Sequence, residues 1–156
     1  MRVVIAGHDR LGIVMANILS ESGHEVLIVE AEGRRLRSFP GHLVARPNVD
    51  VLEAQPTLDE TMIAMDIRGA DMFIAALRTP AENGLAALKA KLTYGVENVV
   101  AVVTNEALGK IYERFGIHAV NPYTLALSNL RDALGIDISD IGVLAAEQTI
   151  ASVQNR

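Results

Sequence analysis

Short apolar runs alternate with amphipathic stretches along the chain, and this alternation predicts the order of its strands and helices. Residues 3–6 form an apolar run too short for a buried helix, so they predict a strand covered on both faces. Beyond the next turn, apolar residues recur at spacings of three and four, which predicts one face of a helix: Leu11, Val14, Met15, Ile18 and Leu19. The chain therefore opens as a strand, a glycine-bounded turn and a helix.

Further apolar runs predict strands at residues 26–29, 51–54, 70–76, 99–103 and 118–120. Helical patterns lie between and after them, at residues 58–66, 81–92, 106–115, 123–134 and 141–153. Thr57 followed by Glu60 has the spacing of a capping box, which predicts the start of the helix at 58–66. Alternating strands and helices with short loops are typical of an α/β fold, here a Rossmann-like, doubly wound parallel sheet of six strands.

An open parallel sheet binds its ligand beyond the carboxyl ends of the strands, where the strand order reverses. We expect this switch point between the first and fourth strands. The turns that follow the first four strands would then converge on one groove: Gly7, Glu30, Gln55 and Leu77.

The first turn reads Gly7-His8-Asp9-Arg10-Leu11-Gly12 and resembles a dinucleotide-binding fingerprint in which Asp9 replaces the middle glycine. A helix N-terminus here offers backbone N–H groups and a positive dipole end to an anion. The Asp9 carboxylate would repel a phosphate. Because aspartate is also a favoured N-cap, the alternative is that Asp9 closes the helix end itself, in place of a ligand.

Glu30 follows the second strand, at roughly the 20-residue distance from the glycine turn at which an acid binds a ribose. A carboxylate accepts hydrogen bonds from both vicinal hydroxyls of the sugar. The same negative charge disfavours NADP, whose 2′-phosphate would face it. The alternative is that Glu30 merely ends a strand at the surface.

Composition narrows the classes of function. Of the 156 residues, 50% are hydrophobic, and the mean hydropathy of +0.26 suits an exposed apolar patch for self-association. A net charge of −5 argues against nucleic-acid binding. The absence of cysteine excludes disulfides and thiolate metal sites, and no His, Asp or Glu cluster has metal-ligand spacing. No apolar run approaches the roughly 18 to 20 residues of a membrane span, so any role at a membrane requires a partner.

A series of short motifs continues across about three quarters of the chain, and their order and spacing matter more than any one of them. After the opening strand and turn come Leu27-Ile28-Val29-Glu30, Pro56-Thr57, Gly69-Ala70-Asp71, Asn83, Ala90-Lys91, Gly95-Val96, Asn98-Val99-Val100-Ala101, Gly116-Ile117 and Asn121-Pro122. Together they resemble the RCK, KTN or TrkA-N nucleotide-binding domain of potassium-transport regulators. The resemblance implies a Rossmann-like domain at residues 1–135 and a C-terminal crossover helix for dimerisation within residues 136–156.

The resemblance assigns the ligand's phosphates to Gly7, His8, Asp9, Arg10 and Leu11, and its adenosine ribose to Glu30. The remaining predicted cofactor-binding residues lie in the loops after the second, third and fourth strands: Ala31, Gln55, Pro56, Thr57, Leu77 and Arg78. Several positions depart from the family pattern. Gln55 replaces an acid that faces adenine, Leu77 replaces a threonine, and Pro80 and Ala81 replace an Asp-Glu pair, which leaves Asn83. Arg10 is kept, and its alternative role is an ion pair with Asp9 or Glu30.

By resemblance, the chain is a cytoplasmic regulatory domain or subunit, joined to the membrane through a partner or as part of a longer membrane protein. It would bind NAD(H), ATP, ADP or AMP and act as a homodimer or larger ring on a potassium channel, transporter or antiporter. Because the departures fall on the ligand loops, a second hypothesis is an assembly module that has lost its nucleotide. A third, an NAD-dependent oxidoreductase, lacks support because His8, His24, His42 and His118 lie in no recognisable acid–base motif.

Overall fold

A computed structural model describes residues 1–124 together with positions 126 and 129, and these residues form a six-stranded sheet with helices on both faces. Its strands are β1 (Arg2–Ala6), β2 (Glu25–Glu30), β3 (Val49–Glu53), β4 (Met72–Ala75), β5 (Asn98–Val102) and β6 (Ile117–Val120). Every neighbouring pair is parallel, and the strand order is β3-β2-β1-β4-β5-β6. The predicted α/β class and doubly wound parallel sheet are confirmed, with the switch point between β1 and β4.

The helices that connect the strands are α1 (Arg10–Glu21), α2 (Gly33–Leu36), α3 (Gly41–Val44), α4 (Asp59–Ala64), α5 (Pro80–Leu88) and α6 (Glu106–Glu113). A 3₁₀ turn, Ile67–Gly69, precedes β4, and a π-helical turn, Lys89–Thr93, extends α5. Among the described residues, none of the helices has the length and apolar character that crossing a bilayer requires. The predicted helices at 123–134 and 141–153, and the domain boundary at 135, fall largely or wholly outside the described residues.

Alternate side chains of the strands feed two separate cores, because the strands are continuous apolar runs covered on both faces. One core packs against α1 and α3 and includes Val3, Ile5, Ala16, Ile28 and Leu43. The other packs against α4, α5 and α6 and includes Val4, Ala6, Met62, Ala86 and Tyr112. The sheet is thus packed on both faces, and the loops at the strand ends extend from this core.

The predicted capping box at Thr57 is wrong. Helix α4 begins at Asp59, and its N-cap, Leu58, makes no side-chain cap. Thr57 is buried, and its carbonyl accepts a hydrogen bond from Lys89 Nζ at 2.8 Å. The same ammonium lies 3.0 Å from Asp59 Oδ1, and these contacts with a second hydrogen bond from the Tyr94 hydroxyl lower the pKa of the Asp59 carboxyl. The first turn of α4 is thus held by contacts with the π-helical turn.

Candidate functional site

The turn after β1 requires glycine for two reasons. Gly7 has φ +96°, in the left-handed region, and a Cβ at this position would collide with the backbone carbonyl of Ala76 at the end of β4. Its N–H donates to the Val29 carbonyl at 2.8 Å, which ties the turn to β2. A Cβ on Gly12 would lie 3.2 Å from both the Gly7 carbonyl oxygen and the Ala76 Cβ. Helix α1 therefore begins close against the switch point of the sheet.

Asp9 is the N-cap of α1, as one of the two hypotheses for this residue predicted. Its Oδ1 accepts a hydrogen bond from the Arg10 backbone N–H at 2.6 Å. The carboxylate thus lies at the helix end, where a bound phosphate would otherwise be favoured. The alternative ion pair of Arg10 with Asp9 or Glu30 is not found: among the described residues, no ion pair involves the Arg10 guanidinium.

Glu30 is only 4% exposed at the end of β2, so the hypothesis that it merely ends a strand at the surface is wrong. Its Oε1 accepts a hydrogen bond from the Glu32 backbone N–H at 3.0 Å. Its Oε2 lies 3.3 Å from Nδ1 of His8, whose ring also packs against Phe39 with 5.9 Å between the ring centroids. Sequence reasoning placed His8 at the ligand phosphates and missed this pair.

Asn83 fixes the loop that follows β4. The side chain is buried, and its Oδ1 accepts a hydrogen bond from the Leu77 N–H at 2.6 Å. Its Nδ2 donates to the Val102 carbonyl at 2.9 Å, which joins the loop to the end of β5. Asn83, the residue of the family's loop motif that this chain keeps, therefore stabilises the loop through hydrogen bonds within the protein.

A capping box does form in this part of the chain, at the start of α5. The Thr79 hydroxyl oxygen accepts from the Glu82 N–H at 3.2 Å, and the Glu82 carboxylate accepts from the Thr79 N–H at 3.2 Å. Pro80 occupies the first turn, where its fixed φ favours the helix. Arg78 thus lies between Leu77 and Thr79, and hydrogen bonds fix both of these neighbours.

Two adjoining cavities lie over the carboxyl ends of the strands. The turn cavity, of about 520 Å³, is lined by His8, Asp9, Arg10, Arg35, Arg78 and Tyr123. The strand-end cavity, of about 300 Å³, is lined by Glu30, Ala31, Glu32, Arg35, Gln55, Leu77, Arg78, Thr79 and Glu82. Arg35 and Arg78 line both cavities, which together form the cleft.

The cleft brings together residues from all four predicted turns. Most of the predicted site residues line it: His8, Asp9, Arg10, Glu30, Ala31, Gln55, Leu77 and Arg78. The others do not line either cavity: Gly7, Leu11, Pro56 and Thr57. Arg35 also lines both cavities, and it is not among the site residues predicted from the sequence.

Three guanidinium groups border the turn cavity: Arg10, Arg35 and Arg78. The Nε of Arg35 pairs with Glu32 at 3.1 Å. Within the described part of the chain, no ion pair involves Arg10 or Arg78. The cleft thus offers positive charge beside the glycine turn and a buried carboxylate where its two cavities meet, which suits a ligand with an anionic group and a hydroxyl-bearing group.

A third cavity, of about 350 Å³, lies at the opposite edge of the sheet and includes Arg2, Glu25, Asn48 and Asp50 in its lining. Its arginine is engaged elsewhere, because the Arg2 guanidinium donates to the backbone carbonyls of Met65 and Asp66. This cavity therefore lacks the unpaired cations of the cleft.

Comparison with known proteins identifies relatives over most of the chain. The family model for the TrkA-N domain matches residues 3–122. The Trk system potassium uptake protein TrkA of Streptomyces coelicolor is 32% identical over 124 residues, which cover 77% of this chain and 52% of that protein. A TrkA homolog of Methanothermobacter thermautotrophicus is 28% identical over 131 residues, covering 83% and 58%. The chain thus spans about half the length of the curated relatives it matches.

Solved structures share the fold at lower sequence identity. The TrkA-N domain of the inner membrane protein ybaL from Escherichia coli has a TM-score of 0.73 and 14% identity, over 85% of this chain and 96% of that one. The Kef C-terminal domain of Shewanella denitrificans, in an AMP-bound form, has a TM-score of 0.64 and 17% identity, over 99% and 94%. The GsuK channel bound to NAD has a TM-score of 0.63 and 18% identity, over 76% and 21%.

Proposed function

The chain belongs to the TrkA-N domain family, and on that premise we propose that it is a nucleotide-sensing regulatory domain of a potassium transport system. An adenine nucleotide binds in the cleft and favours one arrangement of subunits over another. The observation that carries this proposal is the convergence on one cleft of buried Glu30, the glycine turn and two arginines, Arg10 and Arg78, that form no ion pair with any described residue. A buried carboxylate can accept hydrogen bonds from the ribose hydroxyls, and a helix N-terminus and arginines attract phosphates.

The proposed ligands are NAD(H), ATP, ADP and AMP, with NADP disfavoured. Glu30 is buried and lines the strand-end cavity, so a 2′-phosphate bound beside it would meet negative charge with little solvent to screen it. The AMP-bound Kef domain and the NAD-bound GsuK channel, which share this fold, support the same ligand class. The proposed role is regulatory and not catalytic.

The proposed partners are a second copy of the chain, as a homodimer or larger ring, and a membrane potassium channel, transporter or antiporter. The Trk potassium uptake proteins among its relatives support the transport partner. Exposed apolar side chains support self-association: Val14 and Ile18 on α1 are each 51% exposed, and Ile111 on α6 is 49% exposed.

Isothermal titration calorimetry with NADH, NAD, ATP, ADP and AMP tests the ligand. We expect at least one of them to bind with a Kd well below the millimolar range. Gel filtration with and without that nucleotide then tests whether binding changes the assembly. If none of the five binds more tightly than the millimolar range, the chain is not a nucleotide sensor.

The second candidate function is an assembly module that has lost its nucleotide. The observation that favours it is that two groups expected to bind the ligand already have partners within the protein. Asp9 caps the N-terminus of α1, and His8 contacts Glu30. A crystal structure with an ordered nucleotide in the cleft would reject this candidate.

Replacing Asp9 by asparagine is expected to tighten ADP binding by roughly threefold to tenfold, because it removes a negative charge from beside the phosphates. Asparagine caps a helix as well as aspartate does, so α1 keeps its start. The matched control is Asp50→Asn, which removes the same charge from the opposite edge of the sheet and should leave the Kd unchanged. Unchanged or weaker binding by the Asp9 variant in calorimetry would contradict the repulsion.

A further inference from the structure

The contact between His8 and Glu30 stands on the boundary between the two cavities. His8 lines the turn cavity and not the strand-end cavity, whereas Glu30 lines the strand-end cavity and not the turn cavity. Their side chains meet at 3.3 Å, between Nδ1 and Oε2. A ligand with its adenosine in one cavity and its phosphates in the other must therefore pass over this pair.

The Glu30 carboxylate already has a partner at each oxygen. The Glu32 N–H donates to Oε1 at 3.0 Å, and His8 faces Oε2. The carboxylate is almost fully buried, so its remaining lone pairs are poorly accessible to a ligand. The backbone donor cannot leave without unfolding the start of α2. His8 can leave, because its side chain is 23% exposed and adjoins open space in the turn cavity.

We propose that His8 is a specificity-determining residue that competes with the ribose of the ligand for the Glu30 carboxylate. The inference rests on the proposed function, since it needs an adenine nucleotide in the cleft. The ribose hydroxyls bind Oε2 only after the imidazole has moved away, so part of their binding free energy replaces the lost contact with His8. The cleft consequently discriminates less strongly between a ribose and a sugar that lacks both hydroxyls than a cleft with a free carboxylate would.

The test compares AMP with 2′,3′-dideoxy-AMP, because AMP carries the adenosine ribose that all the proposed ligands share. Calorimetry gives the ratio of the dideoxy Kd to the AMP Kd for the wild type and for His8→Ala. We expect this ratio to rise roughly threefold to tenfold in the alanine variant. In that variant no imidazole has to be displaced from Glu30, so the hydrogen bonds of the ribose hydroxyls contribute fully to AMP binding. His8→Val is a second variant without a donor, should the alanine variant fail to fold.

The matched control is His8→Asn, whose amide nitrogen replaces Nδ1 and keeps a donor for Glu30, so its ratio should stay near the wild-type ratio. An equal ratio in all variants, or a lower ratio without the donor, overturns the inference and indicates that His8 only supports Glu30. If no variant binds AMP, the inference falls as well. The proposed function is then judged separately, by the titrations with the other nucleotides.

Discussion

Replacing Glu30 by glutamine is expected to weaken AMP binding at least tenfold. Hydrogen bonds to a charged group are worth roughly 1.5 to 3 kcal/mol each, and the ribose presents two hydroxyls to this one carboxylate. Glutamine has nearly the same shape and keeps a carbonyl oxygen for the Glu32 N–H, so the end of β2 should stay in place. Isothermal titration of the variant and the wild type measures the difference.

Glu53 offers a matched control for this change. It lies directly beside Glu30 in the register of β2 and β3, at the end of the neighbouring strand, but it lines neither cavity of the cleft. Glu53→Gln removes the same charge from the same edge of the sheet and should leave the Kd within about twofold of the wild type. If the two variants weaken AMP binding equally, the affinity depends only on the total charge at the carboxyl ends of the strands. Glu30 then does not bind the ribose.

Replacing Gly7 by alanine is expected to destabilise the fold by about 3 kcal/mol. The left-handed backbone at this position costs an L-residue roughly 1 to 2 kcal/mol, and an overpacked site typically adds 1 to 3 kcal/mol. The new Cβ would meet the backbone carbonyl of Ala76, which is fixed in the central part of the sheet and cannot move aside as a flexible side chain could. Urea unfolding followed by circular dichroism measures the loss.

Gly41→Ala is the control for the glycine turn. A Cβ at Gly41 meets no atom within 4 Å, and the residue begins α3, where alanine is favourable. This variant should be as stable as the wild type or slightly more so. If Gly7→Ala matches it in stability, the turn is not as tightly enclosed as the structure indicates.

The strands and the position of the cleft could be predicted because their signals are local. Each strand is a run of apolar residues with a turn at its end, and parallel strands necessarily bring those ends to one edge of the sheet. The sequence also indicated the start of α1, because Asp9 between Gly7 and Gly12 suits an N-cap, which was one of the two hypotheses for this residue. These patterns need no knowledge of distant contacts.

Contacts between separate turns could not be predicted in this way. His8 and Glu30 lie on different strand ends, and only the register of β1 and β2 brings the imidazole to the carboxylate. The capping boxes show the same limit. Thr57 and Thr79 both precede a glutamate at the required spacing, but α4 begins at Asp59 with Leu58 as its N-cap, one residue later than a capping box at Thr57 requires. The ligand roles of the cleft residues, and the crossover helix, stay predictions.

Nuclear magnetic resonance of the uniformly ¹⁵N-labelled protein during titration with AMP tests the central claim most directly, because it locates even a weakly bound nucleotide. We expect the largest amide shifts at Gly7, Glu30 and Arg78, around the cleft, and none at the opposite edge near Glu25 and Asn48. Shifts confined to that opposite edge, or no shifts at millimolar AMP, would contradict a nucleotide site over the carboxyl ends of the strands.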